Sequence, residues 1–371
     1  VYADMRFQEA QAFSDNPQAG LREEVVGLDK YLDTIRRDPD EDFYYLNLGR
    51  TLMNTADLLR SQGAPLGEAA PTARVDELLR LGDIDDVSQF ITSKSPLALM
   101  SYAEAVLARA RDLNPLNKDH YANLARLNSF WYTWTGDPAR INQAVKRYEE
   151  ATSVAPNDVA IANERASAVA LLGTYTEKQG DAAGAKAYYA QAEQILDRSK
   201  AVDPRFNDTA GRLAEVYRLQ GKLVEATPLY TATLAVSPHQ FDQNIEAIAT
   251  SYKAQPELLR QIQQAYIVAA AARPTDANLQ AIAGIMSVRA GDLEGAVKVY
   301  AAAVAAAPGR LDFVRNYTLV LSDTRRYPEA LAQAQQGLNT VQQQGEQADQ
   351  QELATFQFLV GLLQQKAAGG Q

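Results

Sequence analysis

SPLALMSYAEAVLARARDLNPLNKDHYANLARLNSFWYTWTG, residues 95–136, contains one amphipathic segment, a tight polar break and a second segment. The first segment ends in Asp112-Leu113-Asn114-Pro115 and the second opens with Asp119, so the stretch reads as helix, turn, helix. Within it Ala103, Leu107, Ala110 and Pro115 stand at spacings of 4, 3 and 5 residues. The same ruler lands on Gly27, Tyr31, Thr34, Pro39; on Ala144, Tyr148, Ala151, Pro156; and on Ala192, Leu196, Ser199, Pro204. It continues through Ala226, Tyr230, Thr233, Pro238; Ile262, Tyr266, Ala269, Pro274; and Ala296, Tyr300, Ala303, Pro308. Recurrence of one unit is the signature of a stacked repeat protein.

Each point of the ruler has a physical reading. A small residue lets two helices approach, an aromatic or Leu one turn later fills the space between them, and a second small residue follows on the same face. The proline cannot continue the helix and drives its predecessor out of the α region. Upstream stand Gly136-Asp137, Gly180-Asp181, Gly221-Lys222 and Gly291-Asp292, where glycine ends a first helix and Asp can cap the second.

Units 205–238 and 275–308 are each 34 residues long. That length, with the small, aromatic, small, Pro pattern and with Leu213-Ala214, Tyr217 and Gly284 in the first helices, resembles the tetratricopeptide repeat. The resemblance implies an all-α, right-handed superhelical solenoid with an insertion and a C-terminal capping helix. The chain then reads as a single array of repeats at 1–39, 40–115, 116–156, 157–204, 205–238, 239–274, 275–308 and 309–342, with a cap at 345–365. Departures are local. The unit ending at Pro204 is 48 residues long, and with its first helix anchored on Leu172-Gly173 its second helix is about two turns longer than the family's geometry requires. Unit 239–274 has Ile262 at a small position and Pro256 near the start of its second helix. Between Pro39 and Pro115, YYLNLGR at 44–50 makes a first helix whose partner begins only at Pro96, which makes 61–95 an insertion holding short helices at 75–81 and 84–92; two irregular repeats are the alternative.

The 371 residues carry 36 basic and 46 acidic side chains, a net charge of −10, which argues against nucleic acid or an anionic lipid surface as partner. No apolar run approaches the length of a membrane span. Zero cysteines exclude disulfides, thiolate zinc sites and a cysteine nucleophile. The start at Val1 and the Gly-Gly-Gln ending read as a piece of something longer, which leaves the compartment open.

No catalytic, metal or cofactor constellation is visible, and no Gly-rich phosphate loop. His120 and His239 read as partly exposed helix-start and loop residues. DPDED at 38–42 suits a helix start, and GDIDD at 82–86 lacks the acid alternation of a calcium loop. The expectation is a protein without enzymatic activity or cofactors.

In tetratricopeptide arrays the first helices line a concave groove, and the resemblance places Asn47, Asn123, Arg212 and Asn316 at equivalent groove positions, with Arg50 and Arg126 one turn further on. An asparagine there can offer donor and acceptor to an extended peptide. This implies an interaction scaffold for a peptide or helical partner. The cluster Phe130, Trp131, Tyr132 and Trp134 cannot all face one side of a helix; packing against 61–95 is favoured over a binding patch at Trp131 and Trp134. A narrower likeness, carried by YYLNLGR, NPLNKDHYANLARL at 114–127 and the opening VYADMRFQEA, is to the tetratricopeptide regions of bacterial O-antigen polymerase/ligase-like membrane proteins. It implies an extracytoplasmic accessory domain tethered through an upstream segment absent here; without it the expectation is a cytoplasmic scaffold.

Overall fold

The computed structural model describes residues 2–14, 20–344 and 349–369. The first four residues of the expected cap, the opening Val1 and the last two residues lie outside that set. The chain falls into two compact units, Val1–Pro204 and Arg205–Gln371. Among the described residues are nineteen α-helices, one short 3-10 turn and no strand, arranged as tetratricopeptide-like helix pairs.

In the first unit α1 (Tyr2–Ser14) pairs with α2 (Leu21–Arg37), α3 (Asp42–Ser61) with α6 (Pro96–Leu113), α7 (Lys118–Thr135) with α8 (Pro138–Val154), and α9 (Val159–Lys178) with α10 (Ala182–Val202). The segment between α3 and α6 holds α4 (Val75–Leu79) and α5 (Ile84–Ser93), both lying against α2. It is fastened by its backbone. Arg36 donates to the Leu79 and Leu81 carbonyls, Leu97 N–H to Leu66 O (3.1 Å), and Ala70 N–H to Ser101 Oγ (3.0 Å).

The second unit pairs α11 (Asn207–Leu219) with α12 (Leu223–Val236), α15 (Ala277–Arg289) with α16 (Leu293–Ala306), and α17 (Leu311–Asp323) with α18 (Tyr327–Gln343); α19 (Gln350–Gly369) covers α18. Between α12 and α15 the pattern weakens to a 3-10 turn, Asp242–Asn244, and the two-turn α13 (Ile245–Ser251). There α14 (Pro256–Ala271) packs on both α12 and α15.

Helix ends follow their punctuation. Second helices stop two residues before Pro39, Pro115, Pro156, Pro204, Pro238 and Pro308. Asp137, Asp181 and Asp292 each accept a backbone N–H from the first turn of α8, α10 and α16. GDIDD is a cap of the same kind: Asp83 accepts from the amides of Asp85 and Asp86 at the start of α5.

The pairs are held by the small position meeting a bulky one. At Gly284 an added Cβ would come 2.7 Å from the Tyr300 ring, and Tyr300 is itself buried. We expect Gly284→Ala to destabilise the second unit by about 1–3 kcal/mol through overpacking. Gly361→Ala, on α19 with open space around it, should be neutral or stabilising by up to about 1 kcal/mol. Denaturant melts of both variants check the contrast.

Glu24 on α2 is 5% exposed, its Oε2 has no partner, and burial pushes its carboxyl from 4.5 up to about 7. A raised folded-state pKa gives stability that is full below the unfolded value and lost as pH rises through the folded one. Glu24→Gln should therefore be more stable than the parent above pH 7, by on the order of 1–3 kcal/mol, with no advantage in mild acid. Urea denaturation at the two pH values reads this directly.

Candidate functional site

The first helices of unit one, α3, α7 and α9, are laid side by side by polar contacts at defined heights. At their starts the Asp42 carboxylate accepts from Asn114 Nδ2 (3.3 Å), Asn117 Nδ2 (3.2 Å) and His120 Nε2. Burial alone would raise the Asp42 pKa, but these donors, His120 foremost, hold it below the ordinary 3.8. His120 is fully buried, not partly exposed: the turn at 114–117 folds it onto α3, where its Nε2 finds the carboxylate, and Nδ1 has no partner. At the far ends the Arg60 guanidinium lies 5.1 Å from the centre of the Trp134 ring.

α7 and α9 are joined by a bidentate fork. Arg126 Nε and Nη2 each donate to Glu164 at 2.8 Å, and Tyr148 donates its hydroxyl to the same carboxylate at 3.0 Å. Desolvation opposes the charge of Arg126, yet the Glu164 contact outweighs it and the guanidinium pKa is raised. Lys118 pairs with Asp158, and Tyr132 meets Tyr175 edge-on at 6.4 Å.

On this scaffold Asn47 and Asn123 hold the same register on adjacent helices, but both are 5% exposed. Each donates Nδ2–H to the carbonyl one turn back, Phe43 O and Asp119 O, at 2.8 Å. One of the two Nδ2–H groups of each amide is thus engaged within its own helix, leaving the second N–H and Oδ1. Arg50 is exposed and has no partner among the described residues, whereas Arg126 is committed to Glu164. Flanking them on the same stripes are two exposed aromatics, Phe43 (43%) and Phe130 (49%).

The tryptophans do not form that patch. Trp131 is buried with the Arg140 guanidinium 3.4 Å over its ring, and Arg140 is held in turn by Glu104 and Asn128. Trp134 is half-buried against Arg60 of α3. Trp131 also belongs to the hydrophobic cluster that includes Leu78, Val87 and Ile91 of the 61–95 segment, and Trp134 packs against that cluster. Asn163 is buried at the equivalent register of α9, where ANERA at 162–166 echoes ANLAR at 122–126.

Arg212 and Asn316 belong to the second unit. Arg212 is paired with Asp208 one turn back at 2.6 Å on α11, and Asn316 is half-buried on α17. His239, in the same unit, contacts Asp242 through Nδ1 and Asp276 through Nε2, both at 2.8 Å. Desolvation lowers its pKa, but the two carboxylates more than reverse this and raise it above 6.5. No cluster of three metal-ligating side chains occurs among the described residues.

No protein-family model and no curated protein matches the chain. Among solved structures it is similar to a tetratricopeptide repeat protein from Parabacteroides merdae, at 15% identity and a TM-score of 0.41 over 86% of this chain and 98% of that one. A thermophilic TPR protein of Thermus thermophilus is 20% identical, with a TM-score of 0.38 over 61% and 92%. YrrB, described as a TPR protein with an unusual peptide-binding site, is 14% identical, with a TM-score of 0.33 over 67% and 96%.

Removing the Asp42 carboxylate tests the joint between α3 and α7. Asp42→Ala leaves fully buried His120 with neither ring nitrogen paired, and should cost about 2–4 kcal/mol. Because the Asp42 pKa is depressed, its contribution is present above the unfolded value and lost as pH falls through the folded one. Parent and variant should therefore converge in stability in strong acid, as measured by urea titration across that range.

Proposed function

We propose that this chain is a non-enzymatic scaffold that binds a peptide or helical segment of a protein partner along the first-helix face of unit one. The observation that carries the proposal is the repeated stripe on adjacent helices: Phe43, Asn47, Arg50 on α3 and Asn123, Arg126, Phe130 on α7. Exposed aromatics beside an uncommitted guanidinium have the composition of interaction hot spots. Phe43 and Phe130 would cover apolar side chains of the partner, Arg50 would meet an acidic one, and the Asn Oδ1 atoms would accept from its N–H groups. Arg126 acts here as a positioning group, since Glu164 holds it.

The repeat boundaries inferred from the proline ruler, with 61–95 as an insertion, belong to the same proposal. Arg212 and Asn316 are assigned no shared surface with the unit-one stripe. Among the described residues no helix is long and apolar enough to cross a membrane. Neither the fold nor the comparisons favour the accessory-domain reading drawn from residues 44–50 and 114–127, and the scaffold reading is preferred.

Selection of a displayed random-peptide library on the immobilised full chain provides the test. Selected peptides should carry an acidic residue near aliphatic or aromatic ones, and Arg50→Glu combined with Phe130→Ser should weaken them at least about tenfold. Both side chains are exposed, so circular dichroism should be unchanged. Undiminished binding to the double variant would remove this face from consideration.

A further inference from the structure

We propose that unit one carries a second binding site, a pocket between α8, α9 and α10 that takes a small monocarboxylate with an aliphatic body. It arises where the repeat is irregular. α9 and α10 have 20 and 21 residues, against 13 and 14 in the regular pair α11 and α12. The space between α8 and α10, over the first turns of α9, is a cavity of ≈ 330 Å³. That is the small end of the range for ligand pockets and suits a molecule of amino-acid size.

The lining combines an apolar wall with residues that carry unpaired donors. Val159, Ala162 and Ile195 supply aliphatic surface. Ser199, on the pocket wall, is 2% exposed, and its Oγ has no hydrogen-bond partner. Arg165 is fixed by Glu149 at 2.9 Å, which leaves its buried Nε–H without a partner at the same wall. Two buried donors left unpaired in one cavity each carry a desolvation penalty that a ligand oxygen would remove.

Charge selects the ligand class. Arg165 is neutralised by Glu149, and Asp158 by Lys118. Arg198 remains, exposed at the mouth and with no partner among the described residues. The pocket therefore offers one net positive charge with two charge-balanced donors, which fits a carboxylate better than a doubly charged phosphate. This site is separate from the peptide face: Asn163 and Arg165 are two positions apart on α9 and so point to opposite sides of it.

Calorimetric titration of the full chain with N-acetyl-L-leucine, against its neutral amide N-acetyl-L-leucinamide, tests the proposal. The acid should bind and the amide should bind at least about tenfold more weakly. Arg198→Gln should cost about tenfold in affinity and Ser199→Ala a few-fold, with unchanged circular dichroism. A leucine-terminated peptide with a free carboxylate separates the two sources of such a group. Its exclusion marks a free acid, and binding as tight as N-acetyl-L-leucine marks a chain end; both support a carboxylate pocket. Equal binding of acid and amide, no heat with the acid at millimolar concentration, or acid binding unaltered in both variants would each overturn it.

Discussion

The close approach of the two helices within each pair is the constraint on which the rest of the structure depends. It requires a residue with little or no side chain on one helix opposite a bulky one on its partner. Gly49 faces Leu107, Gly173 faces Tyr189 and Gly284 faces Tyr300, each so near that a Cβ on the glycine would lie under 3 Å from the partner side chain. Contacts of this kind are short-ranged, so their energy exists only at one helix separation. That separation sets the spacing of the first helices, and hence the geometry of any surface they present.

Using tyrosine as the bulky partner brings a hydroxyl into the interior, and the chain answers with carboxylates. Tyr148 donates to Glu164, Tyr189 to Glu177 and Tyr230 to Glu215. Burial first, then the Glu215 charge, pushes the Tyr230 phenol far above its ordinary value, so it serves only as a donor. The irregular pair shows the converse. Tyr266 on α14 is fully buried and its hydroxyl has no partner. There the first helix is reduced to the two turns of α13, which does not pair with α14 as other first helices do. An unpaired buried hydroxyl costs about 1–3 kcal/mol, a local weakness tied to the poorest copy of the repeat.

The all-α helix-pair fold was legible because its signals are local: proline two residues beyond a helix, glycine in the left-handed turn, and small and bulky residues one turn apart. Gly136, Gly180, Gly221 and Gly291 all have positive φ where the sequence placed a turn. The candidate site was less legible because it depends on which neighbour a side chain meets. The family frame aligned Asn47 with Asn123, but not the bond each makes to its own helix, which takes up one of its two amide N–H groups. The tryptophans were ambiguous for the same reason. Arg140 lies in the next helix and Arg60 in the pair before, and no spacing rule links either to an aromatic ring. A helix-start position such as that of His120 looks exposed in sequence until the preceding turn is folded against another helix.

Sequence irregularity proves informative in a different way from sequence pattern. At several regular positions the polar groups close on one another, as Tyr148 does on Glu164 and Tyr230 on Glu215. Some unpaired polar groups fall where the ruler is broken, although Thr233, in the regular pair α11 and α12, also leaves a buried hydroxyl unpaired. Ser199 keeps its ruler position but sits in a helix seven residues longer than α12, and Tyr266 sits opposite a helix too short to answer it. The face on α3 and α7 is the complementary case, a regular surface on which Arg50 and Phe130 are exposed, as is Phe43 although its ring meets Phe7 at 5.2 Å. In a stack of this kind, functional capacity is what packing leaves over. It is read more surely from the partners each polar atom lacks than from the residues that repeat.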